Sequence, residues 1–349
     1  MQLWEALLPR SDQGKGVGIA LLGTIAATPD AVLLRWCKEL GADDTAILFW
    51  KCIFAFAFGV VAAPASERRD ETSVAEALTL APGHVVGLVL SRAAINITIS
   101  LAFLLTYAVN VLLCYSLNPL ISGVLGWVCL GDALPPRTLV AVACATVSIA
   151  VITLHGRHQG SQSNRLGDAL AVAASAFVSI NFVLTRSASR SYRAPVGLAS
   201  AGGVLVAAII VAVAAPPLGF SVVGGVAPLF FVAAGLCGSC VGVLIVAFAI
   251  APRWITAAET GLISLIQVPL GPVWVYAAYR EKPPVPTIVG GCALFAVVLA
   301  HEWVSYEASL KKKKKKKTTV GVPKLAPATG GVQAGFLSTP PAPTSADSC

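Results

Sequence analysis

The chain has 349 residues, of which 56% are hydrophobic and only 12% charged, with a mean hydropathy of +0.79. A water-soluble domain carries roughly a quarter of its residues as charges, so that class is excluded, and so is a β-barrel, whose spans alternate apolar and polar residues over about 10 positions. The formal charge of +8 comes largely from one run, the heptalysine Lys311–Lys317, and is no sign of nucleic-acid binding.

The apolar residues fall in blocks close to the roughly 20 residues that a helix needs to cross a bilayer. They predict an all-α integral membrane protein of about ten spans: 16–36, 46–63, 84–104, 106–130, 137–155, 167–187, 195–215, 226–250, 255–279 and 285–304. The first block is too long for the core of a signal peptide and reads as an uncleaved span. It is interrupted by Pro29 and Asp30. Proline frees a helical carbonyl, which a membrane tolerates only where protein or a cavity covers it. Asp30 is therefore a candidate for a substrate path or a cap. Lys51 in the second span and Arg92 in the third have two readings, snorkelling to an interface or binding an anion. Between His84 and Leu130 the one formal charge is Arg92, so the third and fourth spans meet with almost no loop. Asn96-Ile97-Thr98 has the glycosylation pattern but lies inside a span.

The fourth span carries Asn110 and Asn118, the latter followed by Pro119. In the eighth, Cys237-Gly-Ser-Cys240 sits in an apolar run, where small residues let helices approach closely. The ninth reads ITAAETGLISLIQVPLGPVWVYAAY and contains Glu259, Gln267, Pro269 and Pro272. An ionised group at the bilayer centre costs roughly 2.5–3.5 kcal/mol, so such side chains should face the bundle interior. Glu259 and Gln267 are eight apart, as are Asn110 and Asn118, a spacing that keeps each pair on one helical stripe. All four are candidates to line a polar path; hydrogen bonding between helices is the alternative use for the amides. Glu259 is also a candidate proton carrier, or else a wetted group near the interface, since Arg253 lies six residues before it. Pro119, Pro269 and Pro272 are candidate hinges.

Pairing Asp132 with Glu281 sets an offset of 149 residues. The same offset pairs Pro135 with Pro284, Thr138 with Thr287, Asn118 with Gln267 and Asn110 with Glu259. It also aligns LGDALPPRT with YREKPPVPT. Each copy then holds five spans, an odd number, so the two copies enter the membrane in opposite senses. That is the inverted-repeat plan of secondary transporters. The layout is a cytoplasmic N-terminus (1–15), a first five-helix repeat (16–155), a linker (156–166), a second repeat (167–304) and a disordered Lys-rich tail (305–349). Basic residues concentrate in cytoplasmic loops. Placing Arg10, Lys15, Arg68, Arg69, Arg137, Arg186, Arg190, Arg193 and Arg253 inside leaves Arg35, Lys38, Arg157, Arg165, Arg280 and Lys282 outside, so both termini are expected in the cytoplasm. There the heptalysine would be drawn to anionic lipid.

Over residues 16 to 304 the chain resembles the EamA-type transporters of the drug/metabolite transporter superfamily. The resemblance rests on RWITAAETGLISLIQVPLGPVWVYAAYREKPPVPTIVGGCALF in the second copy and VNVLLCYSLNPLISGVLGWVCLGDALPP in the first. NRLGDALAVAASAFVSINFVLTR and ILFWKCIFAF match the family's sixth and second spans. The chain departs from the pattern with Asp132 for Glu at the first corner, Arg280 for Gly at the second, Gln267 for a common glutamate and Lys51 for an Arg. The resemblance implies transport of a small metabolite; a membrane scaffold or receptor with a basic lipid-binding tail is the alternative. An enzyme is not expected: His84, His155, His158 and His301 have no metal-binding spacing with a carboxylate, and no phosphate loop or nucleophile triad is present. The nine cysteines are scattered through apolar blocks and form no disulfide framework. The expected partners are a small-molecule substrate and the bilayer, with no cofactor, no metal and no nucleic acid; the oligomeric state is unassigned.

Overall fold

The computed structural model describes residues 12–66, 73–106, 108–132, 135–154, 165–189, 195–214, 228–280, 282 and 285–320. Among them, 91% are helical and none is in a strand. Eight stretches are long and apolar enough to cross a membrane. They are compatible with a multi-pass membrane protein, and burial agrees. Valines and tryptophans such as Val61, Val128, Val213 and Trp303 lie on the outside, whereas Asn118, Ser122, Ser179, Thr260 and Ser264 are fully buried. That is the reverse of a water-soluble core.

The helices are α1 (Asp12–Ala27), α2 (Asp30–Glu39), α3 (Asp44–Ser66), α4 (Val74–Leu80), α5 (Pro82–Leu105), α6 (Ala108–Tyr115), α7 (Asn118–Leu130), α8 (Pro136–Leu154), α9 (Arg165–Ser187), α10 (Val196–Ala214), α11 (Pro228–Ile250), α12 (Ala257–Ser264), α13 (Gln267–Tyr279) and α14 (Val285–Val320). A short 3-10 turn, Ala251–Arg253, links α11 to α12. The first expected span is broken at Thr28-Pro29 into α1 and α2. The fourth is broken at Ser116-Leu117 and the ninth at Leu265-Ile266. The fourth expected span is two short helices, and neither it nor α8 is among the eight long stretches, whereas the first and ninth, also broken, are.

The breaks obey the offset seen in the sequence. Ala108–Tyr115 becomes Ala257–Ser264 on adding 149, Asn118–Leu130 becomes Gln267–Tyr279, and the first residue of α8 becomes the first of α14. The corner residues also correspond: Gly131 has φ 65° and Arg280 has φ 58°, both left-handed. The copies differ where the third expected span meets the fourth. Two residues separate α5 from α6, whereas six separate α11 from α12.

The core is assembled around α9, α11 and α12. α9 packs on α5, α6 and α7, α11 on α1 and α3, and α12 on α7. Leu262, Ile263, Leu265 and Ile266, at the ninth-span break, are buried with Phe182, Phe248, Ile149 and Leu294. Glycine allows the closest approaches. A Cβ at Gly238 of α11 would lie 2.5 Å from the Phe54 Cβ and 2.8 Å from the backbone of α3, so the small residues around Cys237 serve helix packing. A Cβ at Gly261 would lie 3.0 Å from Pro119 Cα, which lets α12 rest on the start of α7.

The chain divides into Met1–Ser309 and Leu310–Cys349. In the second unit the described backbone, 310–320, is helical, where sequence alone suggests a disordered tail. Lysine is a good helix former, and a run appended to an existing helix bears no nucleation cost. The Lys311–Lys317 side chains lie outside the described residues.

Candidate functional site

Three groups of polar side chains lie inside the first unit. The central one sits where the broken fourth and ninth spans meet. Asn118, the first residue of α7, is fully buried. Its Oδ1 lies 3.0 Å from Ser179 Oγ of α9, and its Nδ2 reaches Ser264 Oγ of α12 at 3.5 Å. Ser122 Oγ donates to the Ala257 carbonyl at 3.2 Å, and Ser264 Oγ donates to the Gly261 carbonyl at 2.6 Å. Beside them, Arg92 of α5 donates from Nη2 to Asn181 Oδ1 at 2.9 Å, and Asn181 Nδ2 donates to Ser91 Oγ at 2.9 Å. Tyr115 is within electrostatic reach of Arg92. A helix that stops and restarts here exposes backbone groups that need protein cover, and these hydroxyls and amides supply it.

The second group lies at the first-span break. Lys51 Nζ is 2.6 Å from Asp30 Oδ2, and Cys237 Sγ is 2.8 Å from Asp30 Oδ1. Trp274 Nε1 donates to Thr28 Oγ1 at 2.6 Å, tying α13 to the same break. Lys51 therefore does not snorkel: an acid at the start of the preceding helix holds its ammonium. Asp30 caps nothing by its side chain; it is the counter-ion.

The third group closes the end of the bundle where α7 stops and α12 starts. Arg186, 4% exposed, donates from Nε and Nη2 to the two oxygens of Asp132, the latter at 3.2 Å, and from Nη1 to the Pro252 carbonyl at 3.0 Å and to that of Ile255. Glu259 accepts from Thr256 N at 2.8 Å, Ser305 Oγ at 2.9 Å and Gln13 Nε2 at 3.3 Å. It forms a capping box with Thr256 at the start of α12. Arg137 donates to Ser305 at 3.3 Å, and Thr138 pairs with His301 at 3.1 Å.

Several expectations change. Glu259 does not share a deep stripe with Gln267: the break between them ends one helix and begins another, and Glu259 satisfies the first turn of α12 near the bundle end. Gln267 opens α13, partly exposed, at the position matching Asn118. Asn110 lies in α6, but its side chain is outside the described residues. Pro119 and Pro269 fall in the first turns of restarted helices, where a missing N–H costs nothing. Pro272 alone lies within a helix. Arg92 is turned inward on Asn181 and does not snorkel. Sequence reasoning missed Arg186, counted as a loop charge, together with Asn181, Ser179 and Ser264. Serines in apolar helices carry little signal, but Arg186 at the end of a 23-residue helix, facing an acidic corner, was a readable pair. Among the described residues no group of three or more His, Cys, Asp or Glu could hold a metal.

Helices of membrane length, apolar on the outside and with polar groups inside, are those of an all-helical chain compatible with a multi-pass membrane protein. No protein-family model matches the chain, and no curated protein matches it in sequence. Several solved structures align with the chain; one of them, a crystal structure of a protein, does so with a TM-score of 0.63 at 18% identity, covering 84% of this chain and 98% of the other. The likeness is one of fold.

Proposed function

We propose that the protein is a secondary active transporter that moves a small polar metabolite by alternating access between two inverted five-helix repeats, in the manner of the EamA-type proteins it resembles. The observation that carries this reading is the pair of broken spans, matched residue for residue at an offset of 149, which meet at a buried polar crossing. Discontinuous helices at an interface between repeats are how such transporters handle substrate inside the bilayer. A scaffold has no use for a matched pair of breaks.

In this reading ten spans cross the membrane, with α6–α7 and α8 serving as the fourth and fifth. α7 and α12 pack together at the end closed by Asp132–Arg186 and Glu259, and turnover opens that end while the opposite one closes. Both termini lie in the cytoplasm, where Lys311–Lys317 meets anionic lipid. Asn118 sits where both repeats contribute contacts. Asn118→Ala is expected to lower uptake into proteoliposomes at least tenfold for whichever member of a metabolite panel the wild type carries, with thermal stability close to that of the wild type. Wild-type vesicles that take up no member of a panel of amino acids, organic acids, nucleotide sugars, purines and cationic drugs would sink the transport reading.

A further inference from the structure

Two of the three cations inside the bundle have a carboxylate against them. Lys51 is held by Asp30 and Arg186 by Asp132. Arg92 is the exception: among the described residues no carboxylate lies within ion-pair distance of it. One of its nitrogens, Nη2, meets a neutral amide, Asn181. Its Nε is buried and has no hydrogen-bond partner among the described residues. The position is deep, about 15 Å along α5 from its N-terminus at 1.5 Å per residue. Gly203 of α10 lies against its stem, where an added Cβ would come within 2.6 Å of Arg92 Cβ. The guanidinium is thus fixed beside the crossing, close to Tyr115.

We infer that Arg92 is the anion-binding centre of this path and that the transported molecule brings one carboxylate to it. This rests on the transport reading above. A guanidinium presents parallel N–H donors that match a carboxylate's two oxygens, and a half-buried arginine whose Nε is shut off from water without a counter-ion is costly until an anion reaches it. The charge balance sets the class. With Lys51 and Arg186 already paired, the site offers a single positive charge. A monocarboxylate neutralises it, whereas a phosphate dianion would leave a negative charge stranded. The tie to Asn181 uses Nη2 and leaves the Nε donor for the ligand.

The test uses the full-length protein in detergent and in proteoliposomes. The probes are α-amino acids and hydroxy and keto monocarboxylates, each paired with its neutral amide, together with phosphomonoesters. The wild type is expected to melt higher with at least one carboxylate and not with its amide. Arg92→Gln should weaken that carboxylate at least tenfold, and Arg92→Lys should restore part of the affinity. Asn181→Asp covers the case in which Arg92→Gln does not fold: it supplies the counter-ion in place, so it should keep or raise the ligand-free Tm while abolishing carboxylate binding. The inference is overturned if amides or phosphomonoesters bind as well as carboxylates, if no carboxylate binds, or if Asn181→Asp binds them unchanged. Uptake of neutral amides alone would defeat this inference and leave the transport reading standing. Carboxylate binding without uptake by the vesicles would do the reverse.

Discussion

Arg280 is the one non-glycine residue among those described that has a positive φ. It occupies the corner where the first copy has Gly131, and an L-residue there bears roughly 1–2 kcal/mol of strain. Arg280→Gly is expected to raise stability by about 1 kcal/mol, seen as a higher Tm in detergent; an unchanged or lower Tm would mean that the exposed side chain offsets the strain. Asp132 and Arg186 work in the other direction. Breaking a buried ion pair from one side costs about 3–5 kcal/mol, whereas replacing both partners with apolar residues is often close to neutral. Arg186→Met should therefore unfold well below the wild type, and the Asp132→Leu/Arg186→Met double variant should recover most of the loss. Equal Tm values for single and double would show that Arg186 matters for the Pro252 and Ile255 carbonyls and not for the pair. Much of this chemistry was legible in the chain and some was misread. Thr256-x-x-Glu259 is a capping-box signature, yet the length of the apolar run made it look like the middle of a span. Arg92 and Lys51 were visible as buried-charge candidates, but which of them has a counter-ion depends on contacts between residues 21 and 89 positions apart, and no local pattern encodes these.

At the scale of elements, the sequence marked the broken spans without locating the breaks. Pro119 and Pro269 suggested hinges within continuous helices, but in each the chain turns before the proline, which then sits in a fresh first turn. The hydrophobic blocks run through the breaks unchanged, because both halves must be apolar to lie in lipid, and so periodicity is blind to them. Close packing was more readable. The small residues of Cys237-Gly-Ser-Cys240 predicted intimate contact, and Gly238 provides it. Gly238→Ala has no room to relax, because the new methyl meets the α3 backbone as well as Phe54. It is expected to destabilise by about 1–3 kcal/mol and to loosen α3 from α11. Gly271→Ala, whose Cβ meets nothing within 4 Å, is the matched control; equal melting of the two variants would contradict the packing argument.

For the molecule as a whole, the proposed cycle requires the α7–α12 contact to open. A Cβ at Gly126 would lie 3.9 Å from Ala257 Cβ, within the range of a disulfide. The Gly126→Cys/Ala257→Cys variant should therefore cross-link on mild oxidation. Uptake should stop in proportion to cross-linking and return on reduction, with either single variant unaffected by oxidant. Full activity in the cross-linked protein would mean that this end stays shut throughout turnover.

The unequal connections before α6 and α12 bear on how such an opening is shared. At about 3.3–3.6 Å per extended residue, two residues before α6 can span at most roughly 7 Å, whereas six before α12 could span roughly 20 Å if drawn out from their present folded course. Ala251–Arg253 in the longer connection is a 3-10 turn, and Arg186 holds the carbonyls of Pro252 and Ile255 on either side of its end. In the proposed cycle the longer connection makes α12 the arm that swings and α6 the post it swings against, with the Arg186 guanidinium as the catch.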